Sequence, residues 1–134
     1  MKISVCIPMY NESSICRSAA DTLFRAMEAH RSEYDYEVIF CDDGSDDGSA
    51  ELLRGHIEKC GYSRFRVVGY ENNRGKGAAL KTGYALIEKQ FPDCLGVVTA
   101  DADGQHTVQD VWRWRHPSAT ALYTRTAILP TVRM

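Results

Sequence analysis

Four short runs of apolar and β-branched residues constrain this chain more than anything else in it. They are residues 2–7 (KISVCI), 36–41 (YEVIFC), 65–69 (FRVVG) and 94–100 (CLGVVTA), and each has the length and composition of a buried strand. Pro8 is expected to close the first, because proline cannot donate to a sheet ladder. Helical periods fill the gaps. Ile15, Ala19, Leu23 and Met27 recur every four residues through a predicted helix over 14–30, with Ser13 or Ser14 as its N-cap. Ala50, Leu53 and Ile57 mark a second helix, ended near Gly61. Leu80, Tyr84 and Ile87 mark a third, running to about Gln90 before Pro92 stops it.

Strand and helix alternating through the first hundred residues predict an α/β fold, a Rossmann-like parallel sheet with helices on both faces. Right-handed crossovers then bring every strand-to-helix loop to one edge of the sheet, where open α/β sheets bind ligands. The loops that meet there are residues 8–12, 42–45, 72–76 and 101–105, all polar and rich in turn residues.

The last of these carries the sharpest chemistry. Asp101, Asp103 and Gln105 stand at alternate positions after an apolar run, and alternate residues of an extended backbone point the same way. Their oxygens suit a hard divalent cation, Mg²⁺ or Mn²⁺, which takes one or two carboxylates together with substrate phosphates. The competing reading is a polar turn with Gly104 at positive φ. His106 beside it is a further candidate ligand, although His30, His56 and His116 show that histidine is not reserved for a site.

Asp42 and Asp43 follow the second strand, where one acid can cap a helix and the other can accept a hydrogen bond from a base or a ribose hydroxyl. An EF-hand is excluded, since the twelfth position counted from Asp43 is Arg54. The Arg74-Gly75-Lys76-Gly77 segment begins a predicted helix, so N–H groups and two cations are expected to face an anion. It is neither a Walker A loop, because Gly77 follows Lys76, nor a G-x-G-x-x-G turn, because Leu80 occupies the third glycine position. Tyr10 either stacks on a base or roofs the sheet edge. Trp112 and Trp114 are read as packing residues.

A net charge of −2 gives no reason to expect nucleic acid as a partner. Five cysteines, none in a C-x-x-C pair, read as reduced thiols of a cytoplasmic protein rather than as disulfides or a zinc site. No run reaches the roughly 18 apolar residues of a membrane-spanning helix.

Four segments together resemble a known family: Ile7-Pro8-Met9-Tyr10-Asn11-Glu12, Cys41-Asp42-Asp43-Gly44-Ser45, the run from Asn73 to Leu80 (NRGKGAAL), and Asp101-Ala102-Asp103-Gly104-Gln105-His106. They are similar, in order and spacing, to the motifs of family 2 glycosyltransferases, above all the dolichyl-phosphate mannosyl- or glucosyltransferase-like branch. The resemblance implies the nucleotide-binding half of a GT-A fold. It further implies a UDP- or GDP-linked sugar donor, Mg²⁺ or Mn²⁺, and inverting transfer to a polyprenyl-phosphate or saccharide acceptor. Carried over, Pro8, Tyr10 and Glu12 would flank the base, Asp43 would hold base or ribose, and Lys76 would lie near the diphosphate. Asp101 would face ribose or metal, with Asp103 and Gln105 as metal ligands.

After Val111 no trusted period continues. Residues 1–111 are therefore expected to form the nucleotide-sugar-binding half and residues 112–134 a tail outside the family pattern, from a truncated or frame-shifted product or a fragment. The catalytic base is expected in the half that would follow. The full-length form is expected to sit peripherally at a membrane, and a half-finished sheet is expected to pair with a second copy through its edge. Two other classes compete. A metal-dependent nucleotidyltransferase would place its Gly-rich loop after the first strand, where PMYNES stands, and a non-catalytic nucleotide-binding module would bind without transfer.

Overall fold

The computed structural model describes residues 2–32, 35–90 and 94–99. Four strands and three helices alternate: β1 (Lys2–Met9), α1 (Cys16–Ala29), β2 (Asp35–Asp43), α2 (Ser49–Cys60), β3 (Phe65–Tyr70), α3 (Lys76–Gln90) and β4 (Cys94–Thr99). The strands form one sheet in the order β3-β2-β1-β4, and every neighbouring pair is parallel.

This order follows from handedness. Steps from β1 to β2 and from β2 to β3 move the same way across the sheet, so right-handed crossovers set α1 and α2 on one face. The step from β3 to β4 moves back past β2 and β1, which sends α3 to the other face. The side chains sort accordingly. Ile3, Val5, Ile7 and Met9 of β1 join Tyr36, Val38 and Phe40 of β2 under Leu23, Met27 and Leu53. Cys6, Ile39, Cys41 and Val97 point the opposite way and pack with Ala79 and Ile87 of α3. Burial on both faces is why β1 and β2 read as continuous apolar runs rather than alternating ones.

Two close approaches decide how the layers sit. A Cβ at Gly83 would overlap the sulfurs of Cys6 and Cys41, so α3 lies on the sheet at a point only glycine allows. Those sulfurs are 3.6 Å apart and fully buried, and the hydrogen bond between them, together with burial, pushes the Cys6 thiol up. On the other face Phe65 sits among four rings, 5.4 Å from Tyr62, 6.1 Å from Phe24 and Phe40, and 6.4 Å from Tyr36. Phe24 and Tyr62 stack at 4.0 Å, joining α1 to the turn after α2.

Several local expectations are corrected. Pro8 does not end β1, which continues to Met9. The ladder of β1 with β2 runs on through Pro8↔Cys41 to Met9↔Asp42. Helix α1 buries Cys16, Ala20, Leu23 and Met27 rather than Ile15, Ala19, Leu23 and Met27. A strict four-residue repeat drifts about 40° per step on a helix of 3.6 residues per turn, and the observed spacing of four, three and four follows the turn instead. Neither Ser13 nor Ser14 caps α1, whose N-cap is Ile15 with no side-chain bond. The predicted stop of α2 is where it was expected: Gly61 takes φ +70° and donates its N–H to the carbonyls of Ile57 and Glu58.

Candidate functional site at the sheet edge

The C-terminal ends of the strands carry the loops singled out in the sequence, and hydrogen bonds tie three of them into one rim. The loop after β1 is latched to the loop after β2. The Asn11 N–H donates to Ser45 Oγ at 2.9 Å and the Asp46 N–H to Asn11 Oδ1 at 3.0 Å. The Glu12 N–H donates to Ser49 Oγ at 3.0 Å and the Ser13 N–H to Asp47 Oδ2 at 3.1 Å. The Glu12 carbonyl starts α1 by accepting from the N–H groups of Ile15 and Cys16. Burial works against the Asp47 charge, yet hydrogen bonds from Ser49 and Ser13 outweigh it and bring the carboxyl down to about 2.

The loop after β2 is latched to the loop after β3 through one carboxylate. Asp43, the last residue of β2 and 4% exposed, accepts from Tyr70 Oη at 2.5 Å, Asn73 Nδ2 at 3.1 Å, the Arg74 N–H at 2.8 Å and the Gly75 N–H at 3.0 Å. Burial and this bond to Asp43 push the Tyr70 phenol up to about 12. The Arg74 guanidinium lies 4.8 Å over the Tyr70 ring. Gly44, at φ +69°, has no room for a Cβ against the backbone of Asn72 and Asn73, and a Cβ at Gly69 would strike the Asp42 carbonyl. Two glycines thus let the loops close on one another.

The acid pair divides its work differently from the sequence expectation. Asp42 accepts from the N–H and hydroxyl of Ser45, and its turn shapes the loop rather than capping α2. Asp43 occupies the N–H groups of Arg74 and Gly75 just ahead of α3, so an acid of the chain itself takes the place expected for an external anion. Lys76 is the exposed first residue of α3. Tyr10 is 45% exposed at the rim, and Pro8 and Glu12 are partly exposed beside it.

Asp101, Asp103 and Gln105, together with His106, lie outside the described residues. Among the described residues β4 runs beside β1, on the side where strand order reverses. That reversal is the position at which open α/β sheets hold nucleotides. Of the partners of Asp43, Tyr70 was not singled out in the sequence, and Asn73 stood there only as the first residue of the NRGKGAAL run. Asn72 and Asn73 are turn-forming residues, but nothing in them says which acid the turn will bind.

The family model described as glycosyl transferase family 2 matches residues 4–113, which takes in all three linked loops and the segment after β4. The chain belongs to this family. The dolichyl-phosphate β-glucosyltransferase of Dictyostelium discoideum is 35% identical over 111 residues, covering 81% of this chain and 32% of that protein. Among solved structures, a mannosyltransferase from Pyrobaculum calidifontis in complex with GDP-Man and Mn²⁺ superposes with a TM-score of 0.61 at 29% identity, covering 75% of this chain and 27% of that one. The glucosyl-3-phosphoglycerate synthase of Mycobacterium tuberculosis, at 24% identity and a TM-score of 0.62 over 89% of this chain and 39% of that one, shares the fold. The GT-A architecture inferred from the sequence is the one found. The chain spans about a third of the length of the relatives it matches. Among the described residues no helix is long and apolar enough to cross a membrane.

Proposed function

We propose that the rim formed by the first three loops, with the segment that follows β4, binds a nucleotide-diphosphate sugar together with Mg²⁺ or Mn²⁺, as the donor half of an inverting glycosyl transfer. The observation that carries the reading is that three of the family's motif segments are tied by hydrogen bonds into one rim, on a sheet whose strand order reverses between β1 and β4. Residues 1–111 are assigned to this donor-binding half and residues 112–134 lie beyond it.

Tyr10 offers an exposed ring face to a base, with Pro8 and Glu12 alongside. Asp43, the residue the family pattern sets near base or ribose, acts from beneath the rim by holding the loop of residues 72–76 in place, and Lys76 supplies a cation for the diphosphate. Asp101, Asp103 and Gln105 would hold the metal, since two carboxylates and an amide oxygen are the donor set such an ion prefers. When bound, that metal supplies charge that stabilises the departing nucleotide diphosphate. The chain's own part is to fix the donor: the rim is pre-tied by hydrogen bonds, so little loop entropy is lost on binding.

Similarity to a dolichyl-phosphate glucosyltransferase supports a polyprenyl-phosphate acceptor, and with it a cytoplasmic protein working peripherally at a membrane. A second copy pairing along the exposed edge of β3 is compatible with this arrangement. Calorimetric titration of the chain with UDP- and GDP-sugars in Mn²⁺ tests the reading: saturable binding of one base class supports it, and no binding of any nucleotide contradicts it. Binding with no sugar release in the presence of a lipid-phosphate acceptor would move the assignment to a nucleotide-binding module.

A further inference from the structure

Away from the sheet edge, α1 and α2 bring together three side chains that the donor-binding account does not use. Asp21 of α1 and His56 and Cys60 of α2 each offer a ligand atom, and these atoms all lie within 4.8 Å of one another. His56 and Cys60 are four residues apart on one helix face, the spacing at which a helix presents two side chains to one point. His56 Nε2 lies 2.7 Å from Asp21 Oδ1 and 3.7 Å from Cys60 Sγ. Tyr62, just past the end of α2, donates its hydroxyl to the same Asp21 oxygen at 2.7 Å.

We propose that Asp21, His56 and Cys60 form a Zn²⁺ site that clamps α1 to α2. Thiolate, imidazole and carboxylate are the ligands zinc takes, at about 2.3, 2.0–2.1 and 2.0–2.2 Å, and three of them with a water make a tetrahedral set. At the tetrahedral angle those bond lengths separate the ligand atoms by about 3.4–3.6 Å. The thiol-to-imidazole distance already matches within a few tenths of an ångström. The imidazole and carboxylate must part by somewhat under 1 Å, since the ion takes the place of the hydrogen they share. Tyr62 keeps its hold on the carboxylate, the outer-sphere contact that metal-binding carboxylates usually have.

Access is open. Asp21 and His56 are partly exposed and Cys60 is exposed, so an ion can enter and a water can complete the set. Binding releases the thiol proton of Cys60 to solvent; the hydrogen on His56 Nε2 passes to Nδ1 through solvent if the ring is neutral and is released as a second proton if the ring is charged, and no redox step is involved. The donor set also separates this site from the one proposed for the nucleotide, because a thiolate selects a softer ion than an all-oxygen set does. The proposal is independent of the glycosyl-transfer reading.

Co²⁺ titration of the full chain tests it, in excess Mg²⁺ to occupy oxygen sites. The expected result is one equivalent of Co²⁺ giving a thiolate-to-cobalt charge-transfer band in the near ultraviolet, bleached by one equivalent of Zn²⁺. Cys60→Ser should remove the band, and Asp21→Asn should weaken Zn²⁺ binding at least tenfold. Tyr62→Phe should weaken it about tenfold through the outer contact. Cys60 is exposed, so its replacement leaves the far-ultraviolet circular dichroism unchanged. The absence of a thiolate band in the parent chain, its survival in Cys60→Ser, or unchanged affinity in Asp21→Asn would each show that the trio is only a hydrogen-bonded tie between helices.

Discussion

Replacing Asp43 with asparagine keeps the size of the side chain and removes its charge, and the structure says what that costs. The carboxylate is 4% exposed, with Oδ1 accepting from Tyr70 Oη and the Arg74 and Gly75 N–H groups and Oδ2 from Asn73 Nδ2 and the Gly75 N–H. In the variant one oxygen becomes an NH₂ group facing donors, so at least one bond to a buried charge is lost and the others become neutral. Hydrogen bonds to charged groups contribute about 1.5–3 kcal/mol against about 1 for neutral pairs. Asn73 and Arg74 are exposed enough for water to replace part of the loss, which leaves an expected destabilisation of about 2–3 kcal/mol. Against a typical total of about 5–15 kcal/mol this is easily measured by urea unfolding. Amide exchange adds a local readout, since the Arg74 and Gly75 N–H groups should exchange faster in Asp43→Asn while those of β1 report only global unfolding. A loss below about 0.5 kcal/mol, with both amides as protected as before, would refute the assignment of Asp43 as the anchor of this loop.

Gly83→Ala drives a Cβ into the Cys6 and Cys41 sulfurs, and overpacking of about 1–3 kcal/mol should outweigh the roughly 1 kcal/mol that alanine gains in a helix. Gly55→Ala, with open space around it, should instead stabilise, so thermal midpoints moving in the same direction for both variants would overturn the packing account. Asp47 has its folded pKa depressed from 3.8 to about 2, so its latch contributes fully above the ordinary value and is lost as the pH falls from about 4 towards 2. Carboxyl-carbon NMR titration should place Asp47 near the low value, and a midpoint near 3.8 would remove the latch between the first two loops.

Hydrophobic runs and turn residues made the architecture legible before any coordinates, because a parallel sheet buried on both faces leaves an uninterrupted apolar signature that few other folds share. Residues 36–41 announced β2 in this way. Detail at the ends was less legible. The extension of β1 through Pro8 rests on its pairing with β2 as far as Met9↔Asp42, a non-local fact. The loop ahead of α1 is held by Ser45, Asp47 and Ser49 reaching across from another loop. Asp43 was picked out as a site residue for its position after a strand, but its partners come from about 30 residues further on, where no local pattern points back to it. Asp21 was invisible as a ligand for the same reason, since a residue on α1 gives no sign of facing His56 and Cys60.

The central claim concerns a nucleotide held through a metal by the segment after β4, and one measurement addresses it most directly. Equilibrium binding of GDP and UDP is compared with Mn²⁺ and with a chelator, for the parent chain and for Asp103→Ala. The account predicts that nucleotide binding requires Mn²⁺ in the parent chain and that Asp103→Ala loses the metal-dependent component while unfolding as the parent does. Nucleotide binding with the same metal dependence in Asp103→Ala would contradict it.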